Sequence, residues 1–192
     1  MIKVREIIQE SINVKMAMIE ACSNDIKRAV ELLIDAVKAS KKILWCGNGG
    51  SAADSQHMAA ELMGGLVSHD RPAIASIALT TDSSFLTAWS NDTGYESVFS
   101  RQIEGLGNSG DILIAISTSG NSKNVIQGIK LAKKKFMKVI VLTGKNGGRM
   151  ADLGDVAICI PSDNTQRIQE GHLLAEHILC ESLEFEFINM KK

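Results

Sequence analysis

The sequence predicts an α/β fold: a three-layer α/β/α sandwich around a five-stranded parallel sheet, preceded by two N-terminal helices. Three observations predict it. Five short apolar runs, KILWC, AIASIAL, DILIAIS, KVIVLT and VAICIP, are bounded by turn residues; stretches of helical period separate them; and the runs are almost continuously apolar rather than alternating. Strands of that kind are buried on both faces, the condition met when helices cover both sides of a parallel sheet.

The elements follow in order. Ile2 to Ile19 carries apolar residues at helical spacing, and SNDIKRAVELLIDAVKAS follows with Ser23 or Asn24 as N-cap and Ile26, Ala29, Val30, Leu33 and Val37 on one face. Together these make a helical pair over 1–40 ahead of an α/β core over 41–192. The strands and their helices fill that core, with Pro72 and Pro161 marking strand boundaries. A long final helix, TQRIQEGHLLAEHILCESLEFEFINM, carries Thr165 at its cap position and Ile168, Leu174, Ile178 and Leu183 among its apolar positions.

Composition narrows the function. At 192 residues and 45% hydrophobic, the chain suits one domain, 1–192, with an ample core. Net charge is −1 and the basic residues are scattered, so neither a nucleic-acid footprint nor a membrane-surface patch is indicated. No apolar run approaches a membrane span, and MIKVREIIQES has charges where a signal peptide has its apolar stretch, so a cytoplasmic protein is expected. The cysteines, Cys22, Cys46, Cys159 and Cys180, show no close pairing and read as reduced thiols packed as small apolar residues.

In a parallel sheet of this kind ligands lie outside the carboxyl ends of the strands, so the loops there carry the chemistry. In CGNGGSAADSQHMAAEL, Gly47, Gly49 and Ala52 formally match the dinucleotide-binding fingerprint. The acidic residue that should meet a ribose about 20 positions later is missing, because the second strand is delayed and Asp82 comes too late. The loop STSGNS, Ser117 to Ser122, instead places four hydroxyl residues at a helix start, where free amides and the helix dipole favour an anion. With no Lys or Arg in the loop, it suits a phosphomonoester on a sugar.

His57 and Glu61 stand one turn apart on the same face of the helix after the first loop. The final helix carries Gln169, His172, Glu176 and His177. Imidazole, carboxylate and amide oxygen converging from two helices could hold zinc or a similar ion with a position open for substrate. Spacing alone puts Gln169, His172 and Glu176 nearest a common face, with His177 rotated away, and leaves the ligand set open.

These segments, together with WSNDTGYESVFSRQIE, VIVLTGKNGG and RIQEGHLLAEHIL, resemble the sugar isomerase (SIS) domain family, and within it the sedoheptulose 7-phosphate isomerases. The resemblance covers essentially the whole chain and implies the Rossmann-like, flavodoxin-like SIS fold. It implies that Asn48, Gly49, Gly50, Ser51, Glu61, Asn91, Asp92, Ser117, Thr118, Ser119, Ser122 and Gln169 contact substrate, with the serine loop around the phosphate. The metal ligands it implies are His57, Glu61, Gln169 and His177, holding one zinc ion, and the catalytic pair is Glu61 and His177. It further implies a ketose-to-aldose isomerisation of sedoheptulose 7-phosphate to D-glycero-D-manno-heptose 7-phosphate for surface glycans such as lipopolysaccharide, and a homotetramer with sites near subunit contacts. Some relatives bind without catalysis, at a replication initiator for instance, and share the serine loop; retention of both Glu61 and His177 favours the isomerase over such a regulator, with a dinucleotide enzyme third.

Overall fold

The computed structural model describes residues 3–189. Within them the chain runs α1 (Val4–Lys38), β1 (Ile43–Cys46), α2 (Gly50–Gly64), β2 (Ser76–Ala78), α3 (Ser83–Thr93), α4 (Val98–Leu106), β3 (Ile112–Ile116), α5 (Lys123–Lys134), β4 (Lys138–Gly144), β5 (Val156–Ile160) and α6 (Thr165–Asn189). Every strand pairing is parallel, and the order across the sheet is β2-β1-β3-β4-β5. The five expected strands and the α/β class are therefore present.

Alternate residues of each strand feed two separate cores. Ile43, Trp45, Ile112, Ile114, Ile140 and Leu142 pack with Leu33 of α1, Met58 and Leu62 of α2 and Leu179 of α6. On the other face Leu44, Cys46, Leu113, Ala115, Val139 and Val141 pack with Phe99 and Ile103 of α4 and Val125 and Ile129 of α5. Each buried Leu or Ile contributes about 2 kcal/mol through area removed from water. Because both faces are covered, the strands have no polar side, and their sequences run apolar without alternation.

The N-terminal pair is one helix. α1 spans 35 residues, and its buried positions Met18, Cys22, Ile26, Ala29, Leu33 and Ala36 form an unbroken stripe through the expected break. Ser23, expected as a cap, sits mid-helix with its hydroxyl donating to the Ile19 carbonyl at 2.6 Å, a back-bond that satisfies it without interrupting the helix. Ile2, where the first helix was expected to begin, lies outside the described residues, as does Met190 at the end of the last one.

Two boundaries also differ. The second strand shortens from 73–79 to Ser76–Ala78, an edge strand, because the Ile74 amide bonds the Leu62 carbonyl at 3.1 Å instead of joining the ladder. At α6 the cap is Asn164 rather than Thr165: its Oδ1 accepts from the Gln166 amide at 3.1 Å, and its carbonyl from the Ile168 amide at 2.9 Å. Cys22, Cys46 and Cys180 are buried as small apolar residues and Cys159 is half-buried, all unpaired. No helix among the described residues is long and apolar enough to cross a membrane.

The strand order fixes where a ligand can sit. From β1 the chain moves to β2 on one side, and β3 then starts the other half of the sheet, so the loops after β1 and β3 diverge and leave a crevice between them.

Candidate functional site

The crevice is built from two strand-to-helix turns. After β1 the chain turns through Gly47, Asn48 and Gly49, and Gly49 takes φ +57°, a left-handed conformation that only glycine adopts without strain. The helix α2 then starts at Gly50 with no side-chain cap, and its Ser51, Ala52 and Ala53 amides are taken by the Asn48 and Gly49 carbonyls. After β3, Ser117 to Ser122 lead into α5 in the same way. A hollow of about 230 Å³ lies between them, lined by Asn48, Gly50, Ser51, Ser117, Thr118, Ser119, Ser122 and Gln169 among others.

The serine hydroxyls point at one another rather than capping the helix. Ser122 is the N-cap residue of α5, yet its side chain caps nothing. Its Oγ lies 2.9 Å from Ser117 Oγ, which is 3.4 Å from Ser119 Oγ. Ser119 in turn accepts the Asn121 amide at 3.2 Å. Turn formation accounts for that last bond and leaves the Ser117–Ser122 pair free to re-aim at an anion.

Across the crevice, Asn48 and Asn124 exchange reciprocal amide bonds at 2.9 and 2.8 Å, and Tyr95 donates to Asn48 Oδ1 at 3.1 Å. No local pattern marks Asn124 or Tyr95 for this role, since Asn124 is placed by α5 following β3 beside β1 and Tyr95 by the turn after α3 packing on α5. The TGKNGG loop, unassigned from sequence, borders a neighbouring hollow of about 240 Å³ that shares Thr118, Ser119 and Thr165 with the first. Lys145 lines it, so a lysine does stand beside the serine loop, 3.8 Å from Asp163.

From the other direction come α2 and α6. Ser51 Oγ donates to Gln169 Oε1 at 3.2 Å, and Gln169 Nε2 donates to Asp54 in a very short bond. Burial pushes the Asp54 carboxyl up, against the lowering pull of Gln169, His57 and His177. Asp54 was not anticipated, although it precedes His57 and Glu61 at helical spacing on α2.

His57 Nε2 lies 3.1 Å from Glu61 Oε1, and the His57 and His177 rings meet edge to face with centroids 5.1 Å apart. His177 Nδ1 is 2.9 Å from the Leu173 carbonyl. A carbonyl can only accept, so Nδ1 carries a proton and Nε2 is the nitrogen left to face outward. Thus His177, which spacing alone had rotated away, joins His57, while His172 and Glu176 do not. Both are fully buried and neither makes a side-chain hydrogen bond. Burial holds the His172 imidazole down to about 4, against a raising pull from the Thr143 backbone that lies outside good hydrogen-bond geometry. Burial, then the Asp54 charge, pushes the Glu176 carboxyl well above its usual value.

Asn91 and Asp92 stand apart from this assembly. They are exposed near the end of α3, a helix with no buried residue, and Asn91 donates to Asp92 at 2.8 Å.

The donor set suits zinc: two imidazoles, one carboxylate and one amide oxygen, although the Gln169 oxygen accepts from Ser51 while its nitrogen faces Asp54. Among the described residues no three of His, Cys, Asp and Glu enclose an ion as they stand. In this arrangement the Glu61 carboxylate is turned onto His57.

The comparisons with known proteins agree with the fold. The SIS domain model matches residues 7–144. The chain is 50% identical over 185 residues to the phosphoheptose isomerase of Sulfurimonas denitrificans, covering 95% of this chain and 94% of that one. Among solved structures, the phosphoheptose isomerase of Neisseria gonorrhoeae superposes with a TM-score of 0.89 at 44% identity, covering 95% and 97% of the two chains. That of Francisella tularensis gives 0.91 at 35% identity, covering 95% and 96%.

Proposed function

The chain belongs to the SIS domain family and, within it, to the phosphoheptose isomerases, and on that premise we propose that it converts sedoheptulose 7-phosphate to D-glycero-D-manno-heptose 7-phosphate through an enediol. The observation that carries the reading is the meeting of His57 with both Glu61 and His177, tied to the serine-loop crevice through Gln169, which lines the crevice and bonds Asp54 on the helix of His57. A binding-only relative needs the loop; it has no use for the histidines and the carboxylate.

The residues divide the work. Ser117, Thr118, Ser119 and Ser122, with the amides at the start of α5, hold the phosphate and so fix the far end of the substrate. Asn48, Gly49, Gly50, Ser51, Asn91 and Asp92 contact the sugar. That remote binding keeps C1 and C2 in register with the reacting groups, converting binding energy into orientation. Glu61 carries the proton between C1 and C2, and His177, anchored through Nδ1 on Leu173, moves protons on the substrate oxygens through Nε2. His57, Glu61, Gln169 and His177 would hold one zinc ion, whose Lewis acidity would polarise the substrate carbonyl.

The apolar side chains of Val4, Ile7, Ile8, Ile12, Met16 and Ile19 remain exposed along α1, which supports a homotetramer as the working form. An uncovered α3 carrying Asn91 and Asp92 supports sites close to subunit contacts. We place the enzyme in the cytoplasm, at the entry to activated heptose for lipopolysaccharide or other surface glycans.

The test is conversion of sedoheptulose 7-phosphate to an aldose phosphate followed by NMR, with metal-stripped protein and Glu61→Gln alongside. Turnover that disappears in both controls is expected. No turnover by the zinc-loaded wild type would transfer the reading to a phosphosugar-binding regulator.

A further inference from the structure

We propose that Arg71, braced by Glu184, is a positioning residue for Glu61: it locks the last turn of α2, and with it the candidate base, against α6. This rests on the isomerase reading only for the role of Glu61. The geometry is a fork. Arg71 Nη2 donates to the Glu61 backbone carbonyl at 2.9 Å, Nη1 to the Pro72 carbonyl at 3.0 Å, and Nε lies 3.1 Å from Glu184 Oε1. Both side chains are almost fully buried, at 2% and 1% exposure.

Glu184 is itself fixed. Three successive amides, Leu66 at 2.9 Å, Val67 at 3.2 Å and Ser68 at 2.8 Å, donate to its carboxylate. Burial raises that carboxyl, but the three amides and the guanidinium outweigh it and hold it below its usual range, so the pair is ionised at neutral pH. Glu184 also lies two helical turns beyond His177 on α6, on the same face. One bridge therefore joins the helix carrying His57 and Glu61 to the helix carrying Gln169 and His177.

Two simpler explanations fall short. Helix termination does not require Arg71, because the Glu61 carbonyl already accepts from the Gly65 amide at 2.9 Å. Stability does not require it either, since a buried ion pair is often matched by apolar residues of similar volume. What a planar fork supplies, and a hydrophobic plug does not, is a fixed distance and direction to two backbone carbonyls, with its charge held against Glu184.

The experiment compares Arg71→Lys and Glu184→Gln with the wild type in kcat and KM for sedoheptulose 7-phosphate, zinc affinity by competition with a chromogenic chelator, and thermal unfolding. A lysine keeps the charge opposite Glu184 but cannot fork to both carbonyls. Folded Arg71→Lys is expected to lose about 10- to 100-fold in kcat and about 10-fold in zinc affinity. KM should change by less than about 3-fold, because the phosphate loop rides on β3 and α5 rather than α2. Wild-type kcat and zinc affinity in the folded variants would overturn the proposal. So would a kcat deficit that vanishes at temperatures where the variant is fully folded, or failure of both variants to fold. If the wild type itself does not turn over the substrate, the isomerase reading fails separately, and the zinc affinities alone decide the bridge.

Discussion

The imidazoles of His57 and His177 meet edge to face at 5.1 Å with their planes at 78°, although they stand on different helices, α2 and α6. An edge-to-face contact of that kind leaves each ring a nitrogen that can turn to a shared point. Zinc binding should therefore need both. His57→Ala and His177→Ala are each expected to weaken zinc by at least about 10-fold. Chelator competition measures it, and a wild-type zinc affinity in either variant would separate that histidine from the site.

The hydroxyl pair Ser117–Ser122 should govern KM more than kcat. Losing one hydroxyl from a phosphate shell forfeits about 1.5 kcal/mol, so Ser117→Ala is expected to raise KM about 10-fold with kcat changed little. Steady-state kinetics on sedoheptulose 7-phosphate reads it. Equal losses in Ser117→Ala for phosphorylated and unphosphorylated sugar would remove the loop from the phosphate.

How much of this was legible follows from the kind of contact involved. The buried strands announced themselves because burial on both faces forces continuous apolar runs, and His57 with Glu61 could be paired because one helical turn fixes their separation. The α1 stripe was misread as two helices because Ser23 and Asn24 look like caps, and only the Ser23 back-bond to Ile19 shows that they are not. Asn124 reaches Asn48 through the packing of β1 beside β3 and Tyr95 through the turn after α3 packing on α5, and nothing in their local sequence encodes either adjacency. His177 could not be chosen over His172 by periodicity, because the choice depends on where α6 lies against α2.

Asn124 tests that unencoded contact. Its side chain also accepts the Val125 amide at 2.9 Å, so it holds the first turn of α5 and Asn48 together. Asn124→Ala should leave Asn48 attached only through Tyr95, raising KM and lowering kcat together by about 10-fold, while the double variant with Tyr95→Phe falls further by less than the product of the singles. Strict additivity would mean that the three side chains do not act as one network.

Gly120 is the position in the serine loop least open to change. Its φ is +64°, and a Cβ there would meet the Gly147 carbonyl oxygen at 2.2 Å and Thr143 Oγ1 at 2.6 Å, both in tightly packed structure. Left-handed strain of about 1–2 kcal/mol adds to that clash, so Gly120→Ala should lose about 3 kcal/mol or more and lower Tm by several degrees. A Tm within about 1 °C of the wild type would show that the loop moves freely aside.

His172 and Glu176 give the protein a stability optimum that can be dissected on the metal-stripped form. His172 titrates near 6.5 when unfolded and near 4 when folded, so between those values the unfolded chain binds the extra proton and stability falls as pH drops. The full loss is about 3 kcal/mol, complete below about pH 4. Glu176 acts in the opposite sense: its folded value is raised, so the folded state holds the proton longer, and stability declines as pH climbs above the unfolded value near 4.5. Denaturant titrations from pH 5 to 8 should show the two opposing slopes largely cancelling below about pH 6.5 in the wild type; His172→Leu should expose a fall in stability that starts from pH 5, and Glu176→Gln a rise up to about pH 6.5 followed by a plateau. A Glu176→Gln protein that keeps the wild-type alkaline slope would mean that Glu176 is ionised in the fold.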